Sequence, residues 1–191
     1  MYHIPSDKRA ERSAAAIEAA VQELIAKRDF ASLGITDICA AAHVSRATFY
    51  RLFDMPIDVL RYGAERVVDA VVEIQHEEQA AGRPLNPLLN VQYVFTHYKP
   101  FEAVVRAGRV DIIFSAARER MAPFFQTFVG NFYGRELSPA ELNLYTRIIQ
   151  GILTSTLIAW IENGHRESPQ QIISRIRDFS SIIYRALHTH E

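Results

Sequence analysis

One cysteine in 191 residues leaves nothing for a disulfide framework, so the fold must be held by an apolar core alone. Net charge is also nearly absent, −1 with His neutral, which removes any global argument for a polyanionic partner. Residues 1–66 are equally balanced, with nine Lys/Arg against nine Asp/Glu, so only local charge placement can speak for nucleic acid. No Gly-rich phosphate loop, metalloprotease His-Glu pair or nucleophile elbow occurs. Catalytic residues, metal ligands and cofactors are accordingly expected to be none. Strand-like alternation, internal repeats and low-complexity segments are missing too. The most apolar stretch, 148–161, is short for a bilayer span and is broken by Gln150, Thr154, Ser155 and Thr156. With a polar, charged N-terminus lacking a signal-peptide pattern, the expectation is a soluble cytoplasmic protein with no membrane partner.

What the chain does have is apolar residues, 49% of the total, and nearly all of them recur at helical spacing. Residues 37–53 organise the rest. Ile38, Ala42, Val44, Phe49 and Leu52 supply the apolar positions with which one short helix packs across another in a helix-turn-helix. Cys39 sits one turn before His43, where the helices cross closely and a small side chain fits. His43 falls where such a turn takes φ > 0; Gly usually stands there, and His is among the few alternatives. Ser45 then reads as the N-cap of the second helix. No acidic residue lies between Cys39 and Phe53, and the formal charges there are Arg46 and Arg51. That composition suits a surface lying against phosphates.

The run Ile38-Cys39-Ala40-Ala41-Ala42-His43-Val44-Ser45-Arg46-Ala47-Thr48-Phe49-Tyr50-Arg51-Leu52-Phe53 resembles the DNA-binding signature of the tetracycline-repressor-like (TetR) family of transcription regulators. Two positions depart from it: His43 replaces the turn Gly, and Pro56 stands where the family usually has a Lys. The resemblance implies a homodimer whose two recognition helices, about 34–36 Å apart, enter successive major grooves of double-stranded DNA. It assigns DNA contacts to Thr36, Ser45, Arg46, Ala47, Thr48, Tyr50 and Arg51. Arg46 is expected to read a guanine edge and Ala47 to approach a thymine methyl, while Thr48, Tyr50 and Arg51 hold phosphates. Lys8, Arg9 and Arg12 read either as an arm on the DNA backbone or as a solvated helix start. Losing the Lys at Pro56 should lower the salt dependence of binding.

The expected fold is all-α, with about nine helices: an N-terminal three-helix helix-turn-helix module at 1–54 and a C-terminal helical ligand-binding and dimerisation bundle at 55–191. The first helix should run from Ser6 or Asp7 to about Arg28. Gly34 should cap the second, and Pro56 should start a long connecting helix that ends at Gly82 and Pro84. Further helices are expected over 85–97, 100–107, 110–133, 138–163 and 168–188. Ser138-Pro139-Ala140-Glu141 and Ser168-Pro169-Gln170-Gln171 carry the capping-box pattern, and Asn163-Gly164 closes the helix between them.

Along 138–163 the polar residues Asn143, Arg147, Gln150 and Thr154 share one narrow strip, leaving little solvent face. Gly151, Ser155 and Ala159 recur every four residues and invite a close helix. With Ile148, Ile152, Ile172, Ile176, Phe179 and Ile183 they form the expected interface with a second copy. The body is rich in aromatics, for which plain core packing is the ordinary reading. The resemblance nevertheless implies an apolar or aromatic small-molecule effector held between these helices, with Tyr93, His97, Phe114, Phe125, Phe128 and Trp160 as candidate contacts. Function follows as a homodimeric, ligand-responsive repressor released from a palindromic operator. The alternative is a helical interaction or small-molecule-binding protein of the same scaffold that does not bind DNA.

Overall fold

Capping chemistry sets where the helices begin. In the computed structural model, which describes residues 1–84, 86–133 and 136–188 and the side chains of all these except 87, 131–133 and 183–188, the Asp7 carboxylate accepts from the N–H groups of Arg9 at 3.0 Å and Ala10 at 2.8 Å. Helix α1 (Lys8–Ile25) starts there. It ends earlier than the expected Arg28, because its buried stripe runs out at Ile25 and the N–H groups of Lys27 and Arg28 both turn back onto the Leu24 carbonyl. A 3₁₀ turn (Phe30–Ser32), invisible in the periodicity, leads to α2 (Ile35–Ala41) and α3 (Arg46–Leu52). Then come α4 (Pro56–Ala80), α5 (Pro87–Thr96), α6 (Lys99–Arg106), α7 (Asp111–Tyr133), α8 (Pro139–Glu162) and α9 (Pro169–His188). Among the described residues these nine helices are joined by no strand, only an isolated antiparallel bridge between Tyr2 and Phe53. The fold is all-α.

The two Ser-Pro starts form reciprocal caps. The Glu141 and Gln171 amides donate to the Ser138 and Ser168 hydroxyls at 3.3 Å, while each Ser N–H donates back to the Glu141 or Gln171 side chain. Gly164 turns the chain after α8 with φ of +75°, a conformation that side chains resist. Of the helix expected over 85–97, Leu85 lies outside the described residues; α5 starts at Pro87, and the Asn86 side chain accepts from the Leu88 N–H. Helix α7 runs through Pro123, which offers no N–H to the preceding turn.

Helix α4 connects everything. Its 25 residues rise about 38 Å, enough to touch both ends of the molecule. Near its start Val59 and Leu60 are buried, and α1 packs on α4 as well as on α2 and α3. Farther along, α5, α6 and α7 pack against it, and α8 lies along α7. Gly63 permits the closest approach: a Cβ there would stand 2.9 Å from Glu18 Oε1 and 3.2 Å from Pro100 Cβ.

Glu18 is itself a buried acid, 5% exposed, and Arg66 bonds both of its oxygens at 3.1 and 3.2 Å. Burial pushes its pKa up, and the Arg66 charge pulls it down by less. A carboxyl whose folded pKa is raised gives its full contribution to stability below its ordinary value of 4.5 and loses it as pH rises through the folded pKa. Glu18→Gln keeps the shape and the Gln22 hydrogen bond without the ionisation. The stability of the variant relative to the parent is therefore expected to improve between pH 4.5 and pH 7.5, as read by thermal melts of both proteins at each pH. A difference that is flat or falls with pH would contradict this account of the site.

The rotation of α8 differs from expectation. Only the first half of its polar strip faces water: Asn143 and Arg147 are exposed, but Gln150 and Thr154 are 8% and 6% exposed, and Gln150 Nε2 donates to the Ala117 carbonyl of α7 at 3.2 Å. Leu144, Ile148 and Ile152 point outward instead, 55%, 48% and 37% exposed. The amide finds a carbonyl to bond inside, which sets the rotation and leaves an apolar stripe outside. By length and composition α8 is the one helix among the described residues apolar enough to cross a membrane, yet its inner face is packed on α7.

Candidate nucleic-acid interface and interior chamber

The turn between α2 and α3 is built by its backbone. The Ala42 N–H donates to the Ile38 carbonyl at 2.9 Å and the Val44 N–H to the Cys39 carbonyl at 3.0 Å. His43 takes φ of +52°, the left-handed conformation expected where Gly is usual. Ser45 caps α3, its Oγ accepting from the Thr48 N–H at 3.1 Å and lying 3.0 Å from the Thr48 hydroxyl. Ile38, Phe49, Leu52 and Phe53 are fully buried, which fixes the outer face of α3. Cys39 is buried at the crossing. Desolvation raises its thiol pKa, outweighing the pull of the Arg46 charge, which disfavours the thiolate.

Ser45, Arg46, Ala47, Tyr50 and Arg51 are exposed and Thr48 half-exposed along that face. Thr36, in the first turn of α2, joins them: Arg46 Nη1 donates to its hydroxyl at 3.2 Å, and Arg46 Nη2 lies 3.5 Å from the Tyr50 oxygen. All seven expected DNA contacts are thus exposed or half-exposed, and among them Arg46 joins Thr36 to Tyr50 while Ser45 meets Thr48. The helix-turn-helix presents two cations, hydroxyls and one aromatic, with the nearby Asp37 turned to Arg28 at 3.3 Å and to the Gly34 N–H.

Residues 16–54, which contain this turn, match the family described as bacterial regulatory proteins, tetR family. The chain thus carries the DNA-binding module of the tetR family. It is therefore a helix-turn-helix DNA-binding regulator of transcription. Among solved structures, that of Lin0861 from Listeria innocua is similar, with a TM-score of 0.68 at 14% identity. The similarity covers 95% of this chain and 96% of that one, so the fold is shared far beyond the matched module. No curated protein matches.

The start of the tetR-family module holds an arrangement not foreseen in the sequence. Lys8, Arg9 and Arg12 are exposed on α1, but the residues before them fold back on the end of α3. The His3 N–H donates to the Leu52 carbonyl at 2.8 Å, and the Asp54 N–H to the Met1 carbonyl at 3.0 Å. From this strap Tyr2 donates its hydroxyl to Glu65 Oε2 on α4 at 2.5 Å. Arg120 of α7 bonds the same carboxylate and lies 3.3 Å from Asp69. Strap, α4 and α7 are joined by one buried carboxylate. The only sequence signal was an acid at Glu65 on the apolar face of α4, and nothing local names its partners.

Between α4, α5, α6, α7 and α8 lies an apolar chamber of about 80 Å³. Val68 and Val71, Val91, Val94 and Phe95, Phe101, Ile113, Ala117, Met121 and Phe125, and Leu153 and Leu157 form its wall, with Asn90, Gln150 and Thr154 as its polar members. Of the six expected effector contacts only Phe125 is among them. Phe114 points away, 39% exposed, because Ile112 and Ile113 take the inward positions of that turn. Tyr93 and His97 stack at 4.0 Å on the other side of α5, over a surface hollow beside Glu18 and Arg66. Trp160 donates to the Glu167 carbonyl at 2.8 Å and packs on Phe95, Tyr98 and His165 behind the chamber. Phe128 is half-buried on α7, one turn beyond Phe124 and outside the wall.

The expected interface residues divide similarly. Ile148, Ile152, Ser155 and Ala159 are exposed and Gly151 half-exposed on α8, and Phe179 is 51% exposed on α9 beside Ile182 at 53%. Ile172 is instead a core residue, 3% exposed, and Ile176 is half-buried against the same core, because α9 rests its first turns on α5. The Ile183 side chain lies outside the described residues.

Proposed function

We propose that this tetR-family chain is a homodimeric repressor that leaves a palindromic operator when a small apolar or aromatic effector enters the chamber. Residues 1–54 serve as the DNA-binding module and 55–191 as the ligand-binding and dimerisation domain. The observation that carries the DNA reading is the surface shared by Thr36, Arg46 and Tyr50, with Ser45, Ala47, Thr48 and Arg51 beside them. In the free protein Arg46 is folded back on Thr36 and Tyr50, and on DNA its planar fork turns to a guanine edge. The exposed apolar stripe of α8 and α9 supports pairing with a second copy, which sets two recognition helices on one face of the duplex. The chamber supports the effector, because its walls belong to α4 as well as to the body. An effector that separates the DNA-competent state from the incompetent one needs a differential affinity of about 1–3 kcal/mol. The protein acts where DNA is, in the cytoplasm.

Gel shifts against DNA flanking its own gene test the reading. Arg46→Ala is expected to weaken binding by about 1–3 kcal/mol and to relax the preference at one base position per half-site. Tyr50→Phe is expected to lower affinity evenly across sequences by about 1 kcal/mol, since it removes a phosphate bond and not a base contact. Uniform weakening by Arg46→Ala would take the base readout away from that residue. A folded dimer with no sequence-preferring shift would leave the non-DNA alternative standing.

A further inference from the structure

The chamber wall contains a hydrogen-bond donor with nothing to bond. Asn90 of α5 is 6% exposed and faces the chamber; its Oδ1 accepts from Nε2 of Gln75, which is 2% exposed on α4. That single bond leaves Asn90 Nδ2 and Gln75 Oε1 buried without partners. Native proteins rarely leave such groups unmatched, and when they do a site or an occupant is usually responsible. Gln75 is not part of the wall, so the amide group aimed at the chamber belongs to Asn90. Gln150, the other amide of the wall, gives one N–H to the Ala117 carbonyl and so holds α8 to α7. Among the described residues no charged side chain lines the space, and an ion entering it would lose its water with no compensating charge from them.

We propose that the chamber takes a small, uncharged, apolar molecule carrying one accepting oxygen, a ketone or related carbonyl, which receives the Asn90 Nδ2 hydrogen. This deepens the effector reading of the same chamber and rests on it. The volume of about 80 Å³ is roughly half that of an engineered cavity known to take benzene, so the chamber as it stands suits ligands of only a few carbons, and a six-membered ring enters by displacing wall side chains. Gln75 acts as the positioning residue: its bond to Oδ1 turns Nδ2 toward the ligand. Because Gln75 lies on α4 and Asn90 on α5, a ligand that engages Asn90 acts on the contact between the connecting helix and the body.

The test uses a matched pair of probes, cyclohexanone and methylenecyclohexane, which share shape and differ in the accepting oxygen. Trp160, the one tryptophan of the chain, packs on the chamber-lining Phe95 with ring centroids 4.8 Å apart, so saturable quenching reports occupancy; thermal shift gives a second reading. The full-length protein is expected to prefer the ketone by about two- to tenfold, the worth of one neutral hydrogen bond. Asn90→Leu should erase that preference while hydrocarbon binding persists. The double variant Gln75→Leu with Asn90→Leu retires both unmatched atoms, so it keeps the test open if the single variant fails to fold. An equal affinity for the two probes in the parent, or a ketone preference that survives in the variants, overturns the proposal. Gel shifts on the same samples separate the two readings. Probe discrimination without any change in DNA affinity keeps the site and removes the switch, whereas operator binding without probe discrimination does the reverse.

Discussion

Exchanging Ile148 and Ile152 together for Asp is expected to leave the chain folded, make it a monomer, and cut operator affinity by about two orders of magnitude or more. The fold should survive because both side chains already meet water, at 48% and 37% exposure, so the new carboxylates are solvated in the isolated protomer. Assembly should not survive. Leu144, Ile148 and Ile152 follow one another at one-turn spacing, and Phe179 and Ile182 on α9 add two more large apolar side chains that one protomer leaves uncovered. Patches of this kind on a soluble protein mark an interface more often than chance. Across a two-fold axis each substituted stripe would meet its own copy, so four carboxylates would be desolvated together. The cost to DNA binding follows from the geometry of two half-sites: once one recognition helix is seated, the other binds from an effective concentration that a monomer lacks. Light scattering on a sizing column reads the assembly, gel shift reads the affinity, and circular dichroism shows that α-helix is retained. A variant that stays dimeric would move the interface elsewhere.

Features whose chemistry is closed within a few residues were legible in the sequence. Ser45, Ser138 and Ser168 cap helices because a hydroxyl and an N–H three residues later meet whatever the rest of the fold does. His43 takes its positive φ because the turn demands it, and the buried partners Phe49 and Leu52 follow from spacing alone. The contacts that depend on how a helix is rotated were not legible. Gln150 and Thr154 look like a solvent strip on a helical wheel until a carbonyl of α7, 33 residues away, turns one of them inward. Trp160 and Phe114 stand out as aromatics and not by position, and one is core behind the chamber while the other faces water. On α5 the expected contacts Tyr93 and His97 lie away from the chamber, whereas Asn90, which no motif singles out, lines it. The strap at Tyr2 was beyond reach, because its partner on α4 is 63 residues away and an isolated bridge has no periodicity.

That strap gives the second large effect: Arg120→Ala is expected to destabilise the protein by about 2–4 kcal/mol. Glu65 is only 9% exposed and holds the Tyr2 hydroxyl and the Arg120 guanidinium at once. Removing the cation leaves a carboxylate whose side chain is 11% exposed with only the Tyr2 hydroxyl as its partner, a heavier loss than the bond itself. The figure sits below that for a fully enclosed pair because the Arg120 side chain is 28% exposed and its other partner, Asp69, is 57% exposed. Glu65→Gln combined with Arg120→Met removes both charges, and that pair should recover most of the stability, giving a strongly non-additive cycle in denaturant melts. Additive losses would mean the three groups do not act as a unit. Tyr2 supplies an independent reading. Burial, then the bond to Glu65, raises its pKa from 10.0 to about 12, so its contribution to stability is whole below pH 10 and lost as pH rises through the folded value. Phenolate absorbance, with Tyr2→Phe as the blank, should show that late titration and should show it earlier in Glu65→Gln. Arg120 also immediately precedes Met121 in the chamber wall, while the strap bonds the last turn of α3 through Leu52. Were α7 to shift around a bound effector, it would pull on the carboxylate that anchors the end of α3 through the strap. If that linkage carries the signal, the double variant, stable though it is, should bind operator well and release it poorly when effector is added.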